Sequence, residues 1–280
     1  MSTELSELQN LAFGMACAPV FTIFLQPTIF LKHARMQGLP LSFCPRVLWR
    51  GTPVSIFNET GQAGVQFLTT GIFRKLILGD ANRRLTTLED ISAASMSGIA
   101  SAVYVSPVEL VMVQQQRYGG TMVETFSRML RNRGIPGLMR GFVPTAARDS
   151  VYVAGMLSIT PLFENLLEHE GLSHHTAVLV GSCASGSLAG SLSCPFDCVK
   201  ACMKGDLEET RYGSMTDTTR KLMRSGGISR FFHGVEWRCI NLSTSFLTVA
   251  LARRLLDYYG VLDRQTTDFP LLPSGVAHIH

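Results

Sequence analysis

Three runs of the chain, 11–31, 91–108 and 176–196, contain no Asp, Glu, Lys or Arg, and no other feature restricts the fold as tightly. Each is 18 to 21 residues long, close to the ~20 residues a helix needs to cross the hydrocarbon core of a bilayer. Each also ends on a proline, Pro27, Pro107 and Pro195, with helix-forming sequence beyond it. That pattern predicts helices that kink and run on rather than stop. Three weaker apolar stretches, Pro53–Phe73, Phe142–Phe163 and Cys239–Ala252, alternate with the uncharged runs and complete six spans. Only 16% of the residues are charged against 46% hydrophobic, as expected if lipid is part of the solvent. A soluble all-α repeat protein with buried helices is the rival reading, and uncharged runs of this length weigh against it.

The alternation is periodic. "QPTIFLK", "SPVELVM" and "CPFDCVK" open a pattern that "LWRG", "LMRG" and "FFHG" close. The prolines recur after 80 and 88 residues, and the glycines Gly51, Gly141 and Gly234 after 90 and 93. This is a threefold repeat of helix, polar connection and helix. Ala18, Gly98 and Gly186 each lie nine residues before their proline, where close packing of helices in lipid favours the absence of bulk.

Composition excludes several classes. A net charge of +4 comes without a dense basic run or aromatic-basic interleaving, so nucleic acid is not an expected partner. Seven cysteines without disulfide-type spacing argue against a secreted, stapled scaffold. "MSTELSELQN" has neither a signal peptide's basic start nor a transit peptide's arginines, so no cleavable presequence is expected. No nucleophile–base set, phosphate loop or paired catalytic carboxylates appear, and an enzyme is not expected. Cys194, Cys198 and Cys202 are spaced by four, unlike a zinc C-x-x-C, and read as packing residues or accessible thiols; no metal or cofactor is expected. His174–His175 and the terminal "HIH" read as solvated. The sequons at Asn58 and Asn241 fall within predicted spans and read as empty.

In these repeats the chain resembles the mitochondrial carrier family, which places P-x-[DE]-x-x-[KR] at the end of each odd helix and an aromatic-[KR]-Gly element before each even one. The third copy keeps Pro195, Asp197 and Lys200. The second keeps Pro107 and Glu109 but has Met112 in place of the base, and the first keeps Pro27 and Lys32 but has Ile29 in place of the acid. An acid and a base three residues apart share a helix face, and charges at that depth are costly unless paired. The resemblance implies cyclic pairing at an inner gate: Glu109 with Lys200, Asp197 with Lys32, and the two apolar positions, Ile29 and Met112, with each other. It also implies that Gln116 braces that gate, whereas Met36 and Lys204 stand at the equivalent sites. At the outer end "FRKLI", "FENLL" and "LDYYG" keep only the acids Glu164 and Asp257, so closure there is expected to be largely apolar.

Arg148 and Asp149 lie seven and eight residues beyond Gly141, roughly 10–12 Å into the membrane, where ionisable residues are functional candidates. The resemblance makes this offset the substrate contact region and likens Arg followed by an acid to carriers of amino acids and related zwitterions, carnitine and S-adenosylmethionine among them. Chemically, Arg148 offers a fork for a carboxylate, and Asp149 and Glu59 offer counter-charge for a cationic group. Asn58, Gln62, Asn241 and Arg238 join the candidate substrate-binding set, with Tyr152 as an aromatic wall and Gln66 and Ser245 nearby. Two alternatives stay open here: Arg148 and Asp149 simply neutralising other charges in the bundle, Arg148 with Glu59 for example, and Arg238 snorkelling to the inner surface.

The expectation is an all-α membrane protein with six transmembrane helices in three pseudosymmetric repeats and short matrix helices. It forms a single domain with repeats at about 7–80, 88–170 and 173–262 and a tail at 263–280. The resemblance implies a multi-pass antiporter or uniporter of the mitochondrial inner membrane that works as a monomer by alternating access. It also implies bound cardiolipin at Gly51, Gly141 and Gly234, whose helix-start amides suit lipid phosphate. A di- or tricarboxylate carrier and a non-transporting carrier-fold scaffold or receptor are the alternatives.

Overall fold

A computed structural model describes residues 19, 22–79, 83 and 85–258, with side chains as far as 251. The beginning of the first span with Ala18, the side chain of Asp257 and the tail at 263–280 lie outside the described residues. Six helices make the bundle: α1 (22–37), α2 (Thr52–Leu78), α3 (Thr87–Tyr118), α4 (Phe142–His169), α5 (His174–Gly205) and α6 (Val235–Tyr258). Short helices at Pro45–Leu48, Met122–Leu138 and Met215–Gly226 link each odd helix to the next even one, and no strand occurs among the described residues. Of the described helices, α3, α4 and α5 are long and apolar enough to cross a bilayer.

The helices pack in chain order, α2 on α3, α3 on α4, α4 on α5 and α5 on α6. Trp237 of α6 packs against a cluster containing Phe30, Leu31 and Ala34 of α1, which closes the ring. Its burial pattern is inverted relative to a water-soluble bundle. Phe24, Leu76, Val143 and Leu192 point outward, more than half exposed, while Gln26, Asn58, Glu109, Asp149, Asp197 and Lys200 are buried within. An apolar exterior around a polar interior is the arrangement that lipid selects.

Local chemistry sets the helix ends. Thr86 and Glu89 form a capping box at the start of α3, and Ser173 accepts the Thr176 amide at the start of α5. The even helices begin differently, on Gly51, Gly141 and Gly234 at φ of 85°, 77° and 84°, a left-handed conformation that glycine adopts without strain. These glycines also let the next odd helix approach. A methyl at Gly51 would stand 3.4 Å from Gln116 Cγ, at Gly141 3.3 Å from Lys204 Cε, and at Gly234 3.5 Å from Met36 Cγ. Gln116, Lys204 and Met36 are repeat-equivalent, so the threefold pseudosymmetry extends to individual contacts.

The helices run continuously through Pro107 and Pro195, as does α1 through Pro27. Within α4 the sequence gives no hint of a π turn at Gly155–Ile159 other than Pro161. Proline has no amide for the normal bond to Leu157, and the Thr160 N–H reaches back five residues to the Gly155 carbonyl.

The glycines nine residues before Pro107 and Pro195 mark close helix crossings. A methyl on Gly98 would overlap the Asp149 carbonyl, and one on Gly186 would lie 2.6 Å from Ser243 Cα. Gly186→Val should therefore destabilise the folded protein by about 1–3 kcal/mol, read as a lowered unfolding temperature in detergent. Leu188→Val, on the exposed face, should leave that temperature nearly unchanged.

Candidate functional site

The proline of each odd helix is followed within five residues by the gate positions, and in the structure these converge on two buried carboxylates. Glu109 of α3 is 1% exposed and Asp197 of α5 fully buried. Lys200 Nζ lies 2.6 Å from Glu109 Oε1, and Lys32 Nζ lies 3.2 Å from Asp197 Oδ2, so both expected charged pairs are formed. Ile29 and Met112 are buried and line the same central cavity.

Further cations join each acid. Lys204 Nζ sits 2.8 Å from Glu109 Oε2, and Arg148 Nη1 3.1 Å from Glu109 Oε1. Asp197 receives Arg238 Nη1 at 2.6 Å and, within its own helix, Lys200 at 2.5 Å. Five cations and the acids Glu109, Asp149 and Asp197 thus share one buried network.

The geometry bears on both open alternatives. Arg148 does neutralise other charges of the bundle, but its ion pairs run to Glu109, Asp149 and Asp197 rather than to Glu59. Arg238 does not snorkel: it is 2% exposed, and its Nε and Nη2 donate to Ser193 Oγ while Nη1 holds Asp197. Gln116 meets His33 Nδ1 of α1 across 2.8 Å, a link between α1 and α3 at the seam where Ile29 and Met112 replace the ion pair. Lys204, at the equivalent site in the third repeat, takes a full ionic partner. It was legible as the residue four after Lys200, hence on the same helix face.

Above the network lies a small cavity of about 40 Å3, lined among others by Lys32, Glu59, Gln62, Arg148, Asp149 and Tyr152. Arg238, Asn241 and Ser245 line its α6 side. Glu59 is half-buried and accepts from Asn58 Nδ2 at 3.3 Å. Tyr152 stacks at a tilt on Phe246, with ring centroids 5.6 Å apart, and Asn241 Nδ2 donates to Thr28 Oγ1 of α1. Gln66 turns away to Ser101. Asp149 is fully buried, and its Oδ1 is ion-paired with Arg148 Nη2 at 2.5 Å, while Arg148 Nε and Asp149 Oδ2 have no hydrogen-bond partner. Buried polar groups are nearly always hydrogen-bonded, so these two atoms are the ones open to a further contact.

The inner end is fastened by Arg140 of the "LMRG" element. It donates to the carbonyls of Met203 and Tyr212 and pairs with Glu209 at 2.9 Å. Within that loop burial alone would raise the Asp206 pKa, but the amides of Tyr212, Arg211 and Thr210 outweigh it and hold the carboxyl below its usual value. Cys194, Cys198 and Cys202 are buried in an apolar cluster with Met36, Val199 and Phe231. At the outer end Glu164 accepts from Ser182, while Arg74 of "FRKLI" holds Asp90 of α3 at 2.6 Å.

Asp197→Asn would leave Lys32, Lys200 and Arg238 without their shared anion. Removing one partner of a buried pair costs about 3–5 kcal/mol, whereas Met112→Leu or Ile29→Leu should cost less than about 1.5 kcal/mol. Thermal unfolding of the three purified variants checks this, and equal losses would mean that no such network closes the bundle.

A family model described as "Mitochondrial carrier protein" matches residues 83–171 and 172–259, more than half of the chain. Among curated proteins, the mitochondrial glutamate carrier 2 of Rattus norvegicus is 25% identical, the match covering 77% of this chain and 76% of the relative. The mitochondrial coenzyme A transporter SLC25A42 of Xenopus laevis is 28% identical over 75% of this chain and 69% of its own. The mitochondrial glutamate carrier 1 of Homo sapiens is 24% identical over 71% and 73%.

Proposed function

The chain belongs to the mitochondrial carrier family and is a multi-pass solute carrier of the mitochondrial inner membrane, and from that premise we propose that its solute is a small metabolite bearing a carboxylate and a cationic group. Amino acids and related zwitterions such as carnitine and S-adenosylmethionine form that class. The observation that carries this reading is the Arg148–Asp149 pair, buried at the cavity floor with donors and acceptors left unused, and Glu59 on the facing wall. A solute carboxylate would dock on the Arg148 fork. Its ammonium would lie toward Asp149 and Glu59, against the Tyr152 ring.

The charge balance narrows the class. Lys32, Arg148, Lys200, Lys204 and Arg238 exceed Glu59, Glu109, Asp149 and Asp197 by one, so a solute with one net negative charge neutralises the site. Acidic amino acids have that charge, and two of the relatives reported above are named glutamate carriers. The di- or tricarboxylate alternative would need Arg238 as a second anion site, but Asp197 and Ser193 already occupy its guanidinium. Two intact ring pairs disfavour the non-transporting scaffold.

Transport follows from competition. Arg148 bridges the solute site and Glu109, so a carboxylate that draws Arg148 upward weakens the network holding the inner end shut. Binding energy is thereby spent on the conformational step. The chain works as a monomer in this reading, with cardiolipin phosphate at the amides that follow Gly51, Gly141 and Gly234.

Proteoliposomes preloaded with unlabelled solute should take up labelled glutamate, aspartate, carnitine or S-adenosylmethionine in preference to citrate, malate or coenzyme A. Arg148→Ala should lower uptake by about 30-fold or more, the equivalent of ~2 kcal/mol of a buried charged contact. Arg148→Lys, which keeps the charge without the fork, should retain part of it. Citrate or malate exchange without any amino-acid exchange would overturn the reading.

A further inference from the structure

The three odd helices meet along three seams, and the third differs in kind. Between α3 and α5 stand Glu109 with Lys200 and Lys204; between α5 and α1 stand Asp197 with Lys32. Between α1 and α3, where Ile29 and Met112 replace the ion pair, the link is the neutral hydrogen bond of His33 with Gln116, 2.8 Å long.

That bond fixes the imidazole's state. With Gln116 oriented so that Oε1 faces the ring, the bond assigns the proton to His33 Nδ1 and the lone pair to Nε2, an assignment that rests on that amide orientation. His33 is 2% exposed and lines the central cavity, and its Nε2 has no hydrogen-bond partner. A buried base with an open lone pair, facing the chamber where a solute would bind, is a place to put a proton.

What surrounds it decides when the proton arrives. Lys32 adjoins it on α1, Glu59 lines the same cavity from α2, and Glu109 does so from α3. Arg148 and Asp149 stand on α4, Asp197 and Lys200 on α5 beneath the cavity, and Arg238 on α6. With cations in excess, an imidazolium adds repulsion until an anion enters. With His33 loaded the excess of cations is two, and a solute of one net negative charge removes one of them, so each ligand favours the other, and the coupling is reciprocal.

We propose that His33 is the proton-uptake site of this carrier, loaded at Nε2 from water at the open mouth together with the carboxylate solute and unloaded to water on the other side. This rests on the carboxylate reading above. No bond is formed or broken other than N–H, and each turnover with loaded His33 carries one proton. The imidazolium keeps its Nδ1–H on Gln116, but the bond then belongs to a charged ring beside Lys32 and Lys200. Loading therefore loosens the one seam that no ion pair holds.

Two measurements test this. In proteoliposomes containing a trapped pH dye, net glutamate entry should acidify the lumen by about one proton per solute. An inward proton gradient should speed that entry several-fold, and His33→Gln should drive the proton-to-solute ratio toward zero whatever its residual rate. Net entry without acidification, or an unchanged ratio in H33Q, overturns the proposal. Independently of transport, nitrogen-15 NMR of histidine-labelled carrier in nanodiscs, with His33 assigned by its absence in H33Q, should show the Nδ1–H tautomer in the resting protein. Saturating glutamate should shift it to the doubly protonated ring. A resting Nε2–H tautomer, or a ring that stays neutral in bound glutamate, rejects the assignment. Exchange of no carboxylate with the resting tautomer as expected would instead reject the solute reading and retain His33 as the neutral latch.

Discussion

Two carboxylates in an otherwise cation-rich interior set the terms for the rest of the molecule. Glu109 and Asp197 together hold Lys32, Arg148, Lys200, Lys204 and Arg238 within ion-pair distance, and those seven side chains come from five of the six helices. Excluding a charge from water costs several kcal/mol even after relaxation, and only close, multiple partners offset it. The two acids therefore tolerate no loose arrangement. Helix α5 contributes Asp197, Lys200 and Lys204 and so joins both charged seams, which explains why the third repeat keeps the motif intact while the other two have each lost a member.

This concentration of charge explains the form of the bundle around it. The glycines that begin the even helices bring Gln116, Lys204 and Met36 close to those helix starts, and the arginine of "LMRG" ties a loop to the end of α5. Without those close approaches the odd helices would stand apart, and long lysine side chains would be needed to bridge the space at greater entropic cost. The same argument accounts for Gly98 and Gly186 farther up. There the backbone of the neighbouring even helix occupies the volume that a side chain would fill, and Asp149 owes its position to the missing side chain at Gly98.

Much of this was legible in the sequence because it depends on spacing. Uncharged runs, prolines and glycines repeat with a period that local physics converts into helix, kink and left-handed start. The i,i+3 acid and base specify a face, whereas the pairing of Glu109 with Lys200 and of Asp197 with Lys32 is what the resemblance to the carrier family implies, not something spacing gives. What spacing could not supply was which long side chains reach down from the even helices. Arg148 and Arg238 were placed by counting from Gly141 and Gly234, which gives the depth of a Cα but not the several further ångströms of a guanidinium arm. His33 was passed over for a related reason. It follows the motif lysine and matches no motif position, and its importance appears only when Gln116 of another helix is found opposite it. The π turn at Gly155–Ile159 lay equally beyond periodicity, since a single proline does not reveal whether a helix will kink, end or widen.

In the proposed reading, Arg148 makes gate and binding site one system. A residue that contacted only the solute would bind it without opening anything, because a ligand shifts an equilibrium only by its differential affinity for the two states. Arg148 touches Glu109 of the closed network and lines the chamber above it, so its interaction with a solute must come partly at the expense of its interaction with the gate. In the transport cycle proposed above, the solute would supply the negative charge that Arg148 gives up, while Glu109 keeps Lys200 and Lys204. Losing a single contact to Glu109 weakens the closed state without leaving an uncompensated buried charge, and that distinguishes a gate that can open from a salt bridge that merely holds.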